Sequence, residues 1–166
     1  MVKVLPICKI CLESGFLCQA CEKKVKEGEI SERDVEVARL LYKLHKKDMI
    51  VDPSFKKTVE VDDYIIILVE GPVAPLIGKG GRVVRLLSKE LGKKVRVVDI
   101  SSGIKKMVED LILPARLYGI SIVYKPNGEE EYRVLLKRNE KKPIPDDVLC
   151  SVVKEVSGKN CSITYI

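Results

Sequence analysis

Apolar and polar positions alternate along the chain in two similar series. In the first, Val37, Leu40, Leu41 and Leu44 recur at i, i+3, i+4 and i+7, one face of a helix. Ser31 is placed to cap it, Glu32 and Asp34 fall in the first turn, and Lys43, Lys46 and Lys47 in the last, which suits the helix dipole. Asp52-Pro53 breaks the pattern. Phe55 to Val61 then reads as a strand, Asp62-Asp63 as a turn, and the run from Asp63 to Glu70 as a second strand. Gly71 to Leu76 is long enough for one helical turn. Arg82 to Leu91 carries helical spacing again, with Val84, Leu87 and Leu91 toward a core and Val83 flanking them, and Lys94 to Asp99 is a third strand.

The second series is shorter. Ile104, Met107, Val108 and Leu111 predict a helix that stops near Pro114. Leu117–Tyr124 and Glu131–Lys137 read as strands joined by Pro126-Asn127-Gly128. A helix follows from about Asp146 to Val156, with Leu149, Val152, Val153 and Val156 on one side, and Asn160 to Ile166 is a last strand. Both series thus run helix, strand, strand, helix, strand, a faint internal repeat. The predicted fold class is α+β. The predicted domains are residues 1–30, 31–100 and 101–166.

The two series differ between the second strand and the following helix. The first has Ile77-Gly78-Lys79-Gly80-Gly81-Arg82-Val83-Val84 there. Gly78 and Gly81 permit positive φ and close approach of a bulky polyanion to backbone N–H groups. Lys79 and Arg82 bring charge, and the next helix turns its electropositive end to the same place. A lone Gly-x-x-Gly is weak evidence, since a tight turn uses glycine for structural reasons too. With its flanks, however, the segment resembles the K-homology (KH) signature of apolar-Gly-x-x-Gly-x-x-apolar. A helix and strand on the N-terminal side resemble the type II, prokaryotic arrangement. The second series has Asn139 to Pro145 instead: no Gly-x-x-Gly, a missing or reduced short helix, and Lys141 and Lys142 as its retained charge.

Near the N-terminus, Cys8-Lys9-Ile10-Cys11 and Cys18-Gln19-Ala20-Cys21 form two Cys-x-x-Cys pairs six residues apart. Leu12 to Leu17, centred on Gly15, is expected to fold back as a tight hairpin, so that Cys8, Cys11, Cys18 and Cys21 surround one structural Zn²⁺. Disulfides are the alternative reading, disfavoured in a reducing compartment. Lys9, Lys23, Lys24 and Lys26 are read either as a solvated face or as a second contact for RNA or protein. Cys150, Cys161 and the single histidine, His45, receive structural roles.

Lys plus Arg outnumber Asp plus Glu by 30 to 24, a moderate excess that suits a nucleic-acid partner without defining one. No apolar stretch has membrane-span length, and a cytoplasmic location is expected. Aromatic residues are 5% of the chain and Trp is absent, so broad stacking platforms are not expected. No catalytic triad, paired carboxylates or P-loop marks an enzyme, and no small-molecule substrate is implied.

Taken together, the chain resembles the NusA-like transcription factors of archaea, with a zinc module followed by two tandem type II KH-like domains, the second without Gly-x-x-Gly. The resemblance implies a non-enzymatic factor that binds single-stranded RNA in transcription elongation or termination, with RNA polymerase as a partner. The RNA site it implies comprises Ile77, Gly78, Lys79, Gly80, Gly81, Arg82 and Val84, with Lys93, Lys94 and Arg96 as a basic edge. A ribosome-associated or ribosome-assembly factor, and a zinc-stabilised protein-interaction adaptor, are the competing readings.

Overall fold

A computed structural model describes residues 5–166. The chain divides into two compact units, Met1–Asp99 and Ile100–Ile166.

The first unit opens with two short helices, α1 (Lys9–Ser14) and α2 (Gln19–Lys26), and continues into α3 (Glu32–Lys46). Strands β1 (Lys57–Val61) and β2 (Tyr64–Val69) form an antiparallel hairpin. The chain then passes through α4 (Ala74–Ile77), a single 3₁₀ turn at Lys79–Gly81, and α5 (Arg82–Leu91) to reach β3 (Lys94–Asp99), which lies parallel to β2. The sheet order is β1-β2-β3. β2 is the central strand, and Ile65 to Val69 are all buried, which explains why its sequence is continuously apolar rather than alternating. The element order from α3 to β3, helix, strand, strand, short helix, helix, strand, is the one expected from the sequence.

One polar residue ties α3 to the sheet. Asp34, fully buried, accepts from the Ser31 N–H at 2.9 Å while the Ser31 hydroxyl accepts from the Asp34 N–H, a reciprocal capping box. Its other oxygen accepts from the Thr58 N–H at 2.7 Å and from the Thr58 hydroxyl. The sequence offers Asp34 only as a dipole-matching first-turn acid; the strand contact depends on the tertiary fold. Asp34→Ala would strand the two buried Thr58 donors and remove the acceptor of the Ser31 N–H. It is expected to cost about 2–4 kcal/mol, read as a lowered urea midpoint without a change in slope.

Two local expectations change. The segment between the cysteine pairs folds back and brings the sulfurs together, but through helices the sequence reading did not assign: each pair starts a helix, and Gly15 (φ +77°) ends α1 in the left-handed conformation. The core face of α5 is Val83, Leu87 and Leu91, with Val84 only half-buried, because the helix starts at Arg82 and its first buried position falls one residue earlier than the spacing suggested.

The second unit contains α6 (Ile104–Ile112), β4 (Leu117–Tyr124), β5 (Glu130–Leu136), α7 (Asp146–Ser157) and β6 (Asn160–Tyr165). Its sheet repeats the first: β4 antiparallel to β5, β5 parallel to β6. The segment from Lys137 to Pro145 forms no helix. Buried Ile144 anchors it, and Lys142 is held by Asp146 and by the Tyr165 hydroxyl. The lysine predicted as retained charge is therefore neutralised locally. Its pKa is nonetheless raised, because these two partners outweigh its burial.

The chain is thus an α+β protein with two mixed three-stranded sheets and an N-terminal four-cysteine cluster. Among the described residues, no helix is long and apolar enough to cross a membrane.

Candidate metal centre and nucleic-acid interface

Cys8 and Cys18 occupy the N-cap positions of α1 and α2, and Cys11 and Cys21 lie in the first turns. The two pairs engage each other reciprocally. The Cys18 N–H donates to Cys11 Sγ at 3.1 Å, and the Cys8 N–H to Cys21 Sγ at 3.5 Å. All four sulfurs lie within 4.8 Å of one another, with Cys8 and Cys11 at 3.4 Å and Cys8 and Cys18 at 4.0 Å. A tetrahedral ion with metal–sulfur bonds of ~2.3 Å sets its sulfurs about 3.8 Å apart, so the four cysteines could hold a metal such as zinc.

The titration of the thiols reflects this arrangement. The Cys21 N–H at Cys18 Sγ, helped by Cys11, lowers Cys18 to about 7. Cys8 is lowered first by the Cys11 N–H. The Cys18 N–H favours the Cys11 thiolate, yet burial and the three neighbouring thiols together push Cys11 up to about 12. Burial raises Cys21.

Cys11 and Cys21 also belong to the main hydrophobic cluster of the first unit, with Val35, Ala38 and Leu41 of α3. Arg39 Nε donates to the Cys11 carbonyl at 3.3 Å, and the Tyr42 hydroxyl to Glu13 at 2.8 Å. The cysteine segment therefore shares a core with the rest of its unit. Of its lysines, Lys23 pairs with Glu27 and Lys26 with Glu22 along α2, which favours the solvated-face reading. His45 Nδ1 lies 3.1 Å from the Ile50 carbonyl, a structural contact at the end of α3.

The second cluster is the glycine turn between α4 and α5. Gly78 has φ +76°, and a Cβ there would lie 2.6 Å from Val83 Cγ2 and 2.9 Å from the Val83 nitrogen. Glycine is required twice over, by the dihedral and by close approach. Gly81 also has positive φ, but its added Cβ would meet only the Arg85 guanidinium, at 3.3 Å. Gly78→Ala is therefore expected to cost about 2–4 kcal/mol and Gly81→Ala about 1 kcal/mol, compared by equilibrium unfolding in urea.

The turn brings Ile77 through Val84 together. Lys79, Gly80 and Arg82 are exposed; Ile77 and Val84 are half-buried beside them. Gly81 caps α5 without a side-chain acceptor, so the first N–H groups of that helix are directed at the turn. Among the described residues, neither Lys79 nor Arg82 has an acidic partner. Arg85, read from sequence as solvated, folds back instead: its Nη1 donates to the Gly80 carbonyl at 2.5 Å. The signal for it was its position one helical turn beyond Gly81.

The basic edge expected across the groove lies on and before β3, away from the turn. β3 sets Lys94 beside Tyr64, at the start of β2, whereas the turn follows the far end of β2. Those ends are separated by about 17 Å of strand. The Lys94 ammonium lies 5.4 Å from the centroid of the Tyr64 ring. Lys93 is held by Glu60 and the Asp62 carbonyl, each at 2.7 Å, and Glu60 also binds Arg33. Hydrogen bonds from Arg33 and then Lys93 keep the Glu60 carboxyl below its ordinary value. Arg96 is half-buried mid-strand, and burial lowers its pKa.

Fold and clusters define a class: an α+β protein of paired mixed sheets with a four-cysteine centre and a basic, glycine-bounded turn. No protein-family model matches the chain. Among solved structures, one described as "Crystal structure of APE1850" is similar in fold, with a TM-score of 0.56 and 22% identity over 77% of this chain and 96% of that one.

Proposed function

We propose that this protein is a non-enzymatic, cytoplasmic, single-stranded RNA-binding factor that acts in the manner of NusA-like proteins in transcription elongation or termination, alongside RNA polymerase. Its principal contact is the turn Ile77–Val84, and a structural Zn²⁺ on Cys8, Cys11, Cys18 and Cys21 holds the N-terminal segment. The observation that carries this reading is the turn itself: Gly78 forced against Val83, an uncapped α5 N-terminus, and Lys79 and Arg82 exposed without acidic partners among the described residues. A phosphate is the ligand those groups fit, since the free N–H donors at the start of α5 and two exposed cations without acidic partners among the described residues lie on one short turn. Ile77 and Val84 offer apolar surface for bases.

The deciding experiment measures binding of the zinc-loaded protein to a pool of short single-stranded RNAs at two salt concentrations. The Lys79→Asp, Gly80→Asp variant is measured beside it. Binding that the folded variant loses supports the clamp. Equal binding by both sinks it, and no binding by either shifts weight to the adaptor reading.

A further inference from the structure

The second unit lacks a glycine turn, yet its sheet has an open face with the chemistry of a nucleic-acid platform. α6 and α7 cover one side, where Val134 and Leu136 of β5 are buried, and where Tyr165 meets Lys142 and Asp146 at the start of α7. β5 alternates, so Arg133 and Leu135 belong to the opposite side, flanked in register by Ser121 of β4 and by Ser162 and Thr164 of β6. Arg133, Ser121 and Thr164 are exposed and Leu135 half-exposed, so that side is open to solvent.

A register shift between Leu117 and Gly119 interrupts β4 at Tyr118. Irregularities of this kind re-aim a side chain, and Tyr118 is 62% exposed. The Lys137 ammonium lies 5.9 Å from its ring centroid. Arg133 and Lys137 are four residues apart on β5 and its continuation, about 13 Å along the strand.

Charge on the sheet is polarised. The acids Glu129, Glu130 and Glu131 cluster at the β4–β5 turn, where Lys159 binds Glu130 and Lys125 approaches Glu131. Toward the other end stand Arg133, Lys137 and Arg138, none of which has an acidic partner among the described residues. One exposed aromatic ring, unpaired cations on a solvent-facing sheet and flanking hydroxyls complement a chain of phosphates and unstacked bases. They suit an acidic protein surface less well, because the ring would then lack a planar partner.

We propose that the open face of the second sheet, centred on Tyr118, Arg133 and Lys137, is a second single-stranded RNA-binding site that stacks a base on Tyr118 and neutralises phosphates with Arg133 and Lys137. It does not require the glycine turn, and the prolines that keep the Lys137–Pro145 segment from acting as a clamp do not affect it.

The test uses the full, zinc-loaded chain and single-stranded oligouridylates and oligoadenylates of about four and about twelve nucleotides. Base stacking on an aromatic side chain contributes ~1–3 kcal/mol. The Tyr118→Ala, Arg133→Glu, Lys137→Glu variant should therefore bind the longer RNAs at least about tenfold more weakly, and the tetranucleotides as the wild type does. Tyr118→Phe should restore stacking where Tyr118→Ala does not, and ultraviolet irradiation should cross-link RNA to Tyr118. All three side chains are exposed, so a circular dichroism spectrum matching wild type is expected. Unchanged affinity for the longer RNAs, or a wild type that binds none of them, overturns the proposal. The Lys79→Asp, Gly80→Asp variant separates this site from the turn. If that variant loses the tetranucleotides but keeps sheet-dependent binding of the longer RNAs, both sites stand; if it binds the tetranucleotides as the wild type does, the second site is judged alone and the turn does not stand. If it loses all binding while the sheet variant loses none, the turn stands and the second site does not.

Discussion

The Lys79→Asp, Gly80→Asp variant is expected to bind a short single-stranded RNA at least about 100-fold more weakly than the wild type, a loss of ~2.8 kcal/mol, while unfolding at the same urea concentration. The size follows from electrostatics. One cation is removed and two anions are placed where the phosphates must lie, so an attraction becomes a repulsion at close range. Unchanged stability follows from the backbone. Gly80 has φ +62° with nothing within 4 Å of an added Cβ, and aspartate is among the residues that best tolerate the left-handed region. Lys79 is exposed and, among the described residues, makes no ion pair. The remaining affinity should also respond less to salt, because each lost phosphate contact reduces the slope of log K against log salt by roughly 0.7 for single strands. A variant that is folded and binds like the wild type would remove the turn from consideration.

With a structural Zn²⁺ proposed at the four-cysteine centre, a strong chelator is expected to destabilise the first unit markedly. Cys11 is fully buried and Cys21 nearly so, both in the core that carries α3. Without a cation, their thiols face one another with only backbone N–H groups to compensate. Structural zinc contributes folding free energy directly. A loss of at least ~3 kcal/mol is expected, which for a unit of this size corresponds to a melting point lower by roughly 12–24 °C. Differential scanning calorimetry before and after a strong chelator measures it, and hydrogen exchange should show α1, α2 and the first turns of α3 losing protection. Cys11→Ser should reproduce the effect. Addition of Zn²⁺ should release protons at neutral pH, because Cys11 and Cys21 hold theirs well above that range until a metal displaces them. Apparent affinity should consequently fall as pH falls. A melting point indifferent to chelator would show that the cysteines fold the segment unaided.

Much of the fold was legible because its signals are local. The spacing of Val37, Leu41 and Leu44 and the cap at Ser31 marked α3, and the strand–turn–helix order around Gly78 marked the first sheet. What escaped was of two kinds. The helices at the cysteine pairs were hidden because segments of six and eight residues carry too little periodicity to separate a helical turn from a hairpin. The partners of Asp34, Lys93, Arg85 and Lys142 were hidden because a charged residue in sequence looks the same whether it faces solvent or a buried donor. Cys150 and Cys161 illustrate the second case. Separated by a helix end and a turn, their thiols nevertheless influence each other, which lowers Cys150 and raises Cys161.

The sequence by itself determined the order of elements from α3 onward, the four-cysteine cluster and the glycine-bounded basic turn, since spacing, dihedral preference and residue type are properties of neighbouring residues. The tertiary structure decided which charges remain available. Lys93 and Lys142 are drawn into ion pairs, Arg85 is folded onto Gly80, and Lys79, Arg82, Arg133 and Lys137 are left without acidic partners among the described residues. That division has a physical reason: a helix, a cap or a metal knuckle closes within a few residues, whereas the solvation and pairing of a side chain depend on whatever distant segment the packing of the core sets beside it.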